Sequence, residues 1–235
     1  MSRLSVIIPT YQHAATLPEC LESVLTQTRK PDEVIVVDDG SVDGTPMVLE
    51  PFRARGVQVI RTENHGSNQA RNTGFKASSG QLVMFCDADA LLRPDTLEHF
   101  EQALEHHPKA SYAYSGFRFG WKSFASFPFS AERLRRMNYI HTTSLIRRPD
   151  FPGFDERVKR LQDWDLWLTM LEQGKEGVFV EGELIRIVDA HGRVGISRWL
   201  PSLAYRIPWE WLGWMPSSVR TFKEAKAVIV KKHRL

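Results

Sequence analysis

Leu82-Val83-Met84-Phe85-Cys86-Asp87-Ala88-Asp89 is the stretch on which the fold turns: an unbroken apolar run, then two carboxylates separated by one small residue. A short run of this kind reads as a strand buried on both faces, as in parallel sheets covered by helices. In an open parallel sheet, ligands gather beyond the carboxyl ends of the strands. Acidic side chains crowded there are costly unless something bound satisfies them.

Residues 4–8, 33–37 and 57–60 repeat the apolar, β-branched pattern upstream of that run. Helical spacing fills the gaps. Leu17, Leu21, Val24 and Leu25 make one apolar stripe, which Pro31 stops. Residues 68–76 read as a shorter helix closed by Ser78-Ser79-Gly80, and Pro94 opens another with Leu97, Phe100, Ala103 and Leu104 turned inward. This alternation predicts an α/β domain with a mostly parallel central sheet and helices on both faces.

Beyond Pro108 the texture becomes aromatic and alternating. Strands are predicted over 112–119 and 142–147, a helix over 163–172 ended by Gly174, and two strands, 178–180 and 184–188, around a Glu181-Gly182 turn. These form a smaller sheet. The expectation is a single domain over 1–198, divided into halves 1–107 and 108–198, with a Trp-rich, basic and helical C-terminal tail over 199–235.

The chain's 42% hydrophobic and 25% charged residues argue against disorder and against a polytopic membrane protein. Its 31 basic residues against 28 acidic ones are too evenly balanced to indicate nucleic-acid binding. Cys20 and Cys86 lack metal-ligand spacing and read as small buried thiols, which fits a reducing cytoplasm. Met1 leads into an apolar run too short for a signal-peptide core, and no segment reaches the ~20 apolar residues that span a bilayer.

The predicted strand ends are polar: Pro9-Thr10-Tyr11, Asp38-Asp39-Gly40-Ser41 and Asp87-Ala88-Asp89. Alternate residues of an extended segment point the same way, so Asp87 and Asp89 can address one hard cation and its phosphates. The other reading is an acidic turn that caps the following helix.

Val6-Ile7-Ile8-Pro9-Thr10-Tyr11, Val36-Val37-Asp38-Asp39-Gly40-Ser41, Ala70-Arg71-Asn72-Thr73-Gly74 and Asp87-Ala88-Asp89 together resemble, in order and spacing, the family-2 glycosyltransferases of the GT-A fold. The likeness is strongest over 4–98, looser to about 197, and fades in the tail. It implies a nucleotide-binding half over 1–107, an acceptor half over 108–198, and inverting transfer of a sugar from a nucleoside diphosphate, with uridine favoured, to an acceptor hydroxyl. By the same resemblance Pro9, Thr10, Tyr11, Asp38, Asp39, Arg71, Asp87 and Ala88 bind the donor. Tyr11 packs on the base, Asp39 accepts from it, and Arg71 faces the nucleotide or phosphates. Asp87 reaches the ribose or the metal, and Asp89 ligates Mn²⁺ or Mg²⁺. Each also has a structural reading: Tyr11 as a core ring, Arg71 as a helix-face ion pair, Asp38 as a turn residue.

Inverting transfer needs a carboxylate on the acceptor side to take the hydroxyl proton. The family's acceptor segment opens a helix with Glu-Asp, the Asp being the base. Asp163 matches that Asp, while Gln162 stands where the family has Glu, which removes a charge beside the base. Asp165 is the alternative, and either is suited to a helix N-terminus. His191 falls where many relatives complete the metal site, with a surface histidine as the other reading. The Gln-x-x-Arg-Trp signature of processive polysaccharide synthases is missing, and Ser197-Arg198-Trp199 resembles only its end.

In the tail, Trp199, Trp209, Trp211 and Trp214 precede Arg220, Lys223, Lys226, Lys231, Lys232 and Arg234. That order suits peripheral contact with the inner face of the plasma membrane, where a lipid-linked glycan acceptor is found, or else a cover for the acceptor half or a dimer contact. Two further classes compete with transfer. A sugar nucleotidyltransferase would show a Gly-rich phosphate loop near the first strand, which Pro9-Thr10-Tyr11-Gln12 does not offer; a non-catalytic nucleotide-sugar binding module would need no base.

Overall fold

The structure is a computed structural model that describes residues 2–188, 207, 209 and 215–235. Its first half contains four parallel strands: β1 (Leu4–Thr10), β2 (Glu33–Asp38), β3 (Gln58–Arg61) and β4 (Leu82–Phe85). They stand in the order β3-β2-β1-β4. The chain therefore builds outward from β1 in one direction and then returns to its other side, which makes the β1/β4 boundary the topological switch point, where ligands bind in open α/β sheets.

β1 is paired with β4 only as far as Ile7↔Phe85, while its pairing with β2 runs on to Thr10↔Asp38. From Pro9 onward β1 has a neighbour on one side only, a position that tolerates proline. The crevice begins there.

The strands are sheathed on both faces. Leu4, Val6 and Ile8 face a core with α1 (Leu17–Leu25), α2 (Thr45–Arg53) and α4 (Thr96–His106), and Ile7, Val83 and Phe85 face the opposite one. On that second face α3 (Ser67–Ala77) lies across β1 and β2. Gly74 permits the approach: a Cβ there would stand 2.4 Å from Ile7 Cγ2 and 3.2 Å from Val37 Cγ2.

The second half continues the same sheet. β8 (Leu145–Arg147) adds antiparallel to β4; β6 (Tyr112–Phe119), β9 (Gly177–Ile187) and β5 (Ala90–Leu92) follow in order, and β7 (Lys122–Phe124) forms a hairpin with β6. One nine-stranded sheet replaces the separate smaller sheet read from sequence, because β8 pairs with both β4 and β6. The turn expected at Glu181-Gly182 is instead a bulge within β9: Gly182 takes φ 102°, and the register against β6 shifts there without breaking the strand.

Below these strands, α5 (Ala131–Arg136), α6 (Gln162–Glu172) and α7 (Ser217–His233) complete the second layer. Trp164, Trp167 and Met170 of α6 and Ile229 of α7 share the core that holds Ile7 and Phe85. The helical tail is thus seen in α7, whereas Trp199, Trp211 and Trp214 lie outside the described residues.

α2 was not legible because Pro51 sits inside it, at a propensity cost of about 3 kcal/mol. Burial of Leu49 and Phe52 offsets that cost. α5, β5 and β7 span three to six residues, too few to show a period.

Gly74→Val should push α3 off β1. Overpacking of this kind typically costs about 1–3 kcal/mol, and a urea unfolding midpoint matching wild type would refute the close-contact reading.

Candidate active site

Strand neighbours stand about 4.8 Å apart, which sets the ends of β2 and β4 about 10 Å from each other across β1. Hydrogen bonds lock the loops above them together. Gln12, in a left-handed conformation at φ 59°, donates its backbone N–H to Ser41 Oγ at 3.0 Å and accepts from Asp43 N–H at 3.0 Å through Oε1. Tyr11 is held at the rim with 43% of its surface exposed, which excludes the core-ring reading. Pro9 and Thr10 lie buried beneath it.

Asp38 and Asp39 diverge in role. Asp38 is buried and accepts from Ser41 N–H at 2.9 Å, closing the turn around Gly40. At φ 79° Gly40 needs the glycine backbone, and a Cβ would meet Asn64 N at 2.9 Å. Asp39 accepts from His65 N–H at 3.0 Å and Gly66 N–H at 2.8 Å, so its carboxylate grips the start of α3.

Along α3, Arg71 Nη2 donates to Asp87 Oδ1 at 2.6 Å and Nη1 to Asn68 Oδ1 at 3.2 Å. The guanidinium also lies 5.2 Å from the Phe154 ring, and its buried Nε has no hydrogen-bond partner. Burial works against ionisation of Asp87, but Arg71 and then His141 outweigh it and hold the pKa below the usual carboxylate range. Ala88 turns into the core between the two acids. Asp89 behaves oppositely: burial first, then the charge of Asp87, push its pKa up to about 7. Two oxygen donors whose charges resist one another match Mn²⁺ or Mg²⁺, which take one or two protein carboxylates and fill their remaining positions with phosphate and water. Among the described residues no group of three or more His, Cys, Asp or Glu side chains could hold a metal ion. His191 lies outside the described residues.

Across the cleft, Leu161 adopts φ 57° and turns the chain into α6. Asp163 follows two residues later. It accepts from Asn138 Nδ2 at 2.6 Å and from Trp164 N–H at 2.9 Å, and burial raises its pKa above the ordinary range despite the opposing field of His141. Asp165 points elsewhere: it is 3% exposed and paired with Lys232 Nζ at 2.7 Å and His233 Nε2 at 2.8 Å, both on α7. That commitment disfavours Asp165 as the base.

His141 escaped sequence reading. Its Nδ1 accepts from Thr143 N–H at 3.1 Å, and its Nε2 lies 4.0 Å from Asp87 Oδ2. Burial lowers its pKa, although Asp87 and then Asp163 pull the other way. Asp87, Arg71, His141 and Asp163 thus form one electrostatic neighbourhood, contributed by both halves of the chain. A lone histidine before a short strand carries no signal that would have marked it.

The backbone arrangement is that of GT-A enzymes. TarS of S. aureus, solved in complex with UDP-GlcNAc, superposes with a TM-score of 0.68 at 20% identity, over 93% of this chain and 69% of that one. The mannosyltransferase PcManGT of Pyrobaculum calidifontis, in complex with GDP-Man and Mn²⁺, gives 0.66 at 22% identity, over 97% and 70%.

Residues 5–158 match the model of glycosyl transferase family 2, and the chain belongs to that family. An uncharacterized glycosyltransferase of Haemophilus influenzae is 31% identical over 185 residues, which are 72% of this chain and 62% of that protein. YwdF of Bacillus subtilis, also an uncharacterized glycosyltransferase, is 31% identical over 183 residues, 71% of this chain and 67% of that one. GlyA of Streptococcus pneumoniae is 38% identical over 98 residues, 41% of this chain but only 14% of its own length. The chain therefore spans under two thirds of some of these relatives.

Arg71→Met should leave Asp87 without its closest counter-charge, at a cost of about 1–3 kcal/mol. In a double-mutant cycle with Asp87→Asn, the two losses should be less than additive; strict additivity would show that the pair is not coupled.

Proposed function

We propose that this chain transfers a sugar from a nucleoside diphosphate, uridine diphosphate favoured, to an acceptor hydroxyl with inversion. The observation that carries the reading is the gathering of Arg71, Asp87, His141 and Asp163 at the switch-point crevice, with Asp163 separate from the Asp87/Asp89 pair. The GDP-Man and UDP-GlcNAc held by the structural neighbours add support for a nucleotide sugar.

In this reading the base stacks on Tyr11, and Asp39 both seats α3 and accepts from the base. Arg71, with one N–H still unpartnered, meets the nucleotide or phosphates. Asp89 and Asp87 would hold Mn²⁺ or Mg²⁺, which supplies positive charge against the departing diphosphate. Asp163 takes the acceptor proton. Its raised pKa increases its basicity, and Asn138 fixes the carboxylate's orientation. Gln162, where the family has Glu, leaves that tuning to burial and His141.

The alternative of a binding module without catalysis differs at one residue. Asp163→Asn should lower kcat/KM by about 10²–10⁴-fold while nucleotide affinity, read by calorimetry, stays within error. Undiminished turnover would remove Asp163 from the chemistry.

The donor can be identified by thermal shift. A ligand that binds only the folded state at 100 times its Kd adds about 2.7 kcal/mol of stability, so the true nucleoside diphosphate should stand out from UDP, GDP and TDP with Mn²⁺ present. Equal shifts for all three would deny base selectivity to Tyr11 and Asp39.

A lipid-linked acceptor is the partner most in keeping with α7, which exposes Arg220, Lys226 and Lys231, and with the exposed Arg234 that follows it. No helix among the described residues is long and apolar enough to cross a membrane. Sedimentation with anionic liposomes should therefore depend on these residues and weaken with salt; salt-independent binding would exclude an electrostatic contact.

A further inference from the structure

Two residues at the end of α7 make ties to carboxylates elsewhere in the fold. Lys232 Nζ reaches Asp165 at 2.7 Å and Asp155 Oδ2 at 2.9 Å. His233 sets Nε2 against Asp165 Oδ1 and Nδ1 against Glu172 Oε1, each at 2.8 Å. Asp165 and Glu172 are seven residues apart, on one stripe of α6, and His233 bridges them from outside. Its side chain is 1% exposed, and that of Asp165 is 4% exposed. The His233–Asp165 contact is therefore buried, while the Lys232 and Glu172 side chains, 32% and 56% exposed, stand at its outer edge.

Both carboxylates gripped by Lys232 belong to segments that form the cleft. On α6, Asp163 precedes Asp165 by two residues, about 200° around the helix, so the grip on Asp165 fixes the rotation that aims Asp163 at the crevice. Asp155 sits in the loop that seats α3: its carbonyl accepts from Asn68 Nδ2 at 2.8 Å, and the neighbouring Phe154 exchanges two hydrogen bonds with the Asn72 side chain, each 2.9 Å. Asn68 in turn holds Arg71. One ammonium group thus joins the acceptor-side helix to the loop on which the donor-side helix is seated.

We propose that Lys232 and His233 are positioning residues for transfer, holding α6 and the 154–158 loop so that Asp163 and the Arg71–Asp87 pair keep a fixed separation. The kinetic part rests on the sugar-transfer reading above; the positional part does not. Displacement of a reacting group by 1 Å can cost about 100-fold in rate. Donor binding involves α3 and the strand ends, which keep Asp39 as their own tie.

The test compares Lys232→Met, Lys232→Arg and His233→Gln in the full chain. Nucleoside diphosphate release from UDP-N-acetylglucosamine and GDP-mannose, with water taking the sugar in place of the acceptor hydroxyl, is followed with Mn²⁺, alongside hydrogen exchange of the native proteins. Expected are a fall in kcat of about 10–100-fold in Lys232→Met with KM for the donor little changed, partial recovery in Lys232→Arg, and faster amide exchange at 162–166 and 154–158. Unchanged exchange at both segments in a folded Lys232→Met overturns the proposal whatever the activity, and so does unchanged kcat. A wild-type protein that releases no diphosphate excludes hydrolysis of these two donors, and the exchange result then decides the positional part alone. Should Lys232→Met fail to fold, His233→Gln, which keeps a polar group at that junction, is read by the same two measurements.

Discussion

The seat of α3 on β1 and β2 is the constraint from which the rest of the cleft follows. Four residues make it possible: Gly74 removes the side chain that would strike Ile7, Asp39 captures the His65 and Gly66 amides just before the helix, and Asn68 and Asn72 tie its outer face to the 154–158 loop. Arg71 then has one direction to point, toward Asp87. The packing contact and the electrostatic contact are a single device, since shifting the helix moves the guanidinium with it.

The charges around that pair are arranged in opposition. Asp87 is held below the usual carboxylate range by Arg71 and then His141, whereas burial and the charge of Asp87 push Asp89 up and outweigh the smaller pull of Arg71. Crevices that bind phosphates and metal ions invert this balance when loaded, because the ion becomes the largest local charge. Asp163, on the far wall, has its charge opposed by burial and favoured by His141, so one imidazole influences the acids of both walls.

Much of this was legible in the chain, and the reasons differ by element. Apolar runs with polar ends, acidic in β2 and β4, marked β1, β2 and β4, because a strand buried on both faces leaves little freedom of composition. The motifs around Asp39, Arg71 and Asp87 pointed to one edge for the same reason. The bulge at Gly182 read as a turn because glycine after glutamate looks alike in both, and only the pairing with β6 distinguishes them. His141, Asn138, Lys232 and His233 were not singled out for the site at all. Their roles come from contacts spanning 25 to 77 positions, and no local period encodes such a contact. Asp163 and Asp165 were inseparable by spacing, and the turn of the helix sorts them.

The insertion of β8 between β4 and β6 also bears on how the chain can be divided. A fragment ending near residue 107 would keep most of the donor-side motifs yet present the open edge of β4 to solvent, with its amide and carbonyl row unmatched. Such an edge recruits strands from other molecules. The two halves distinguished by chemistry are therefore not two units of folding, and recombination between relatives at that point would be expected to yield aggregates rather than hybrids.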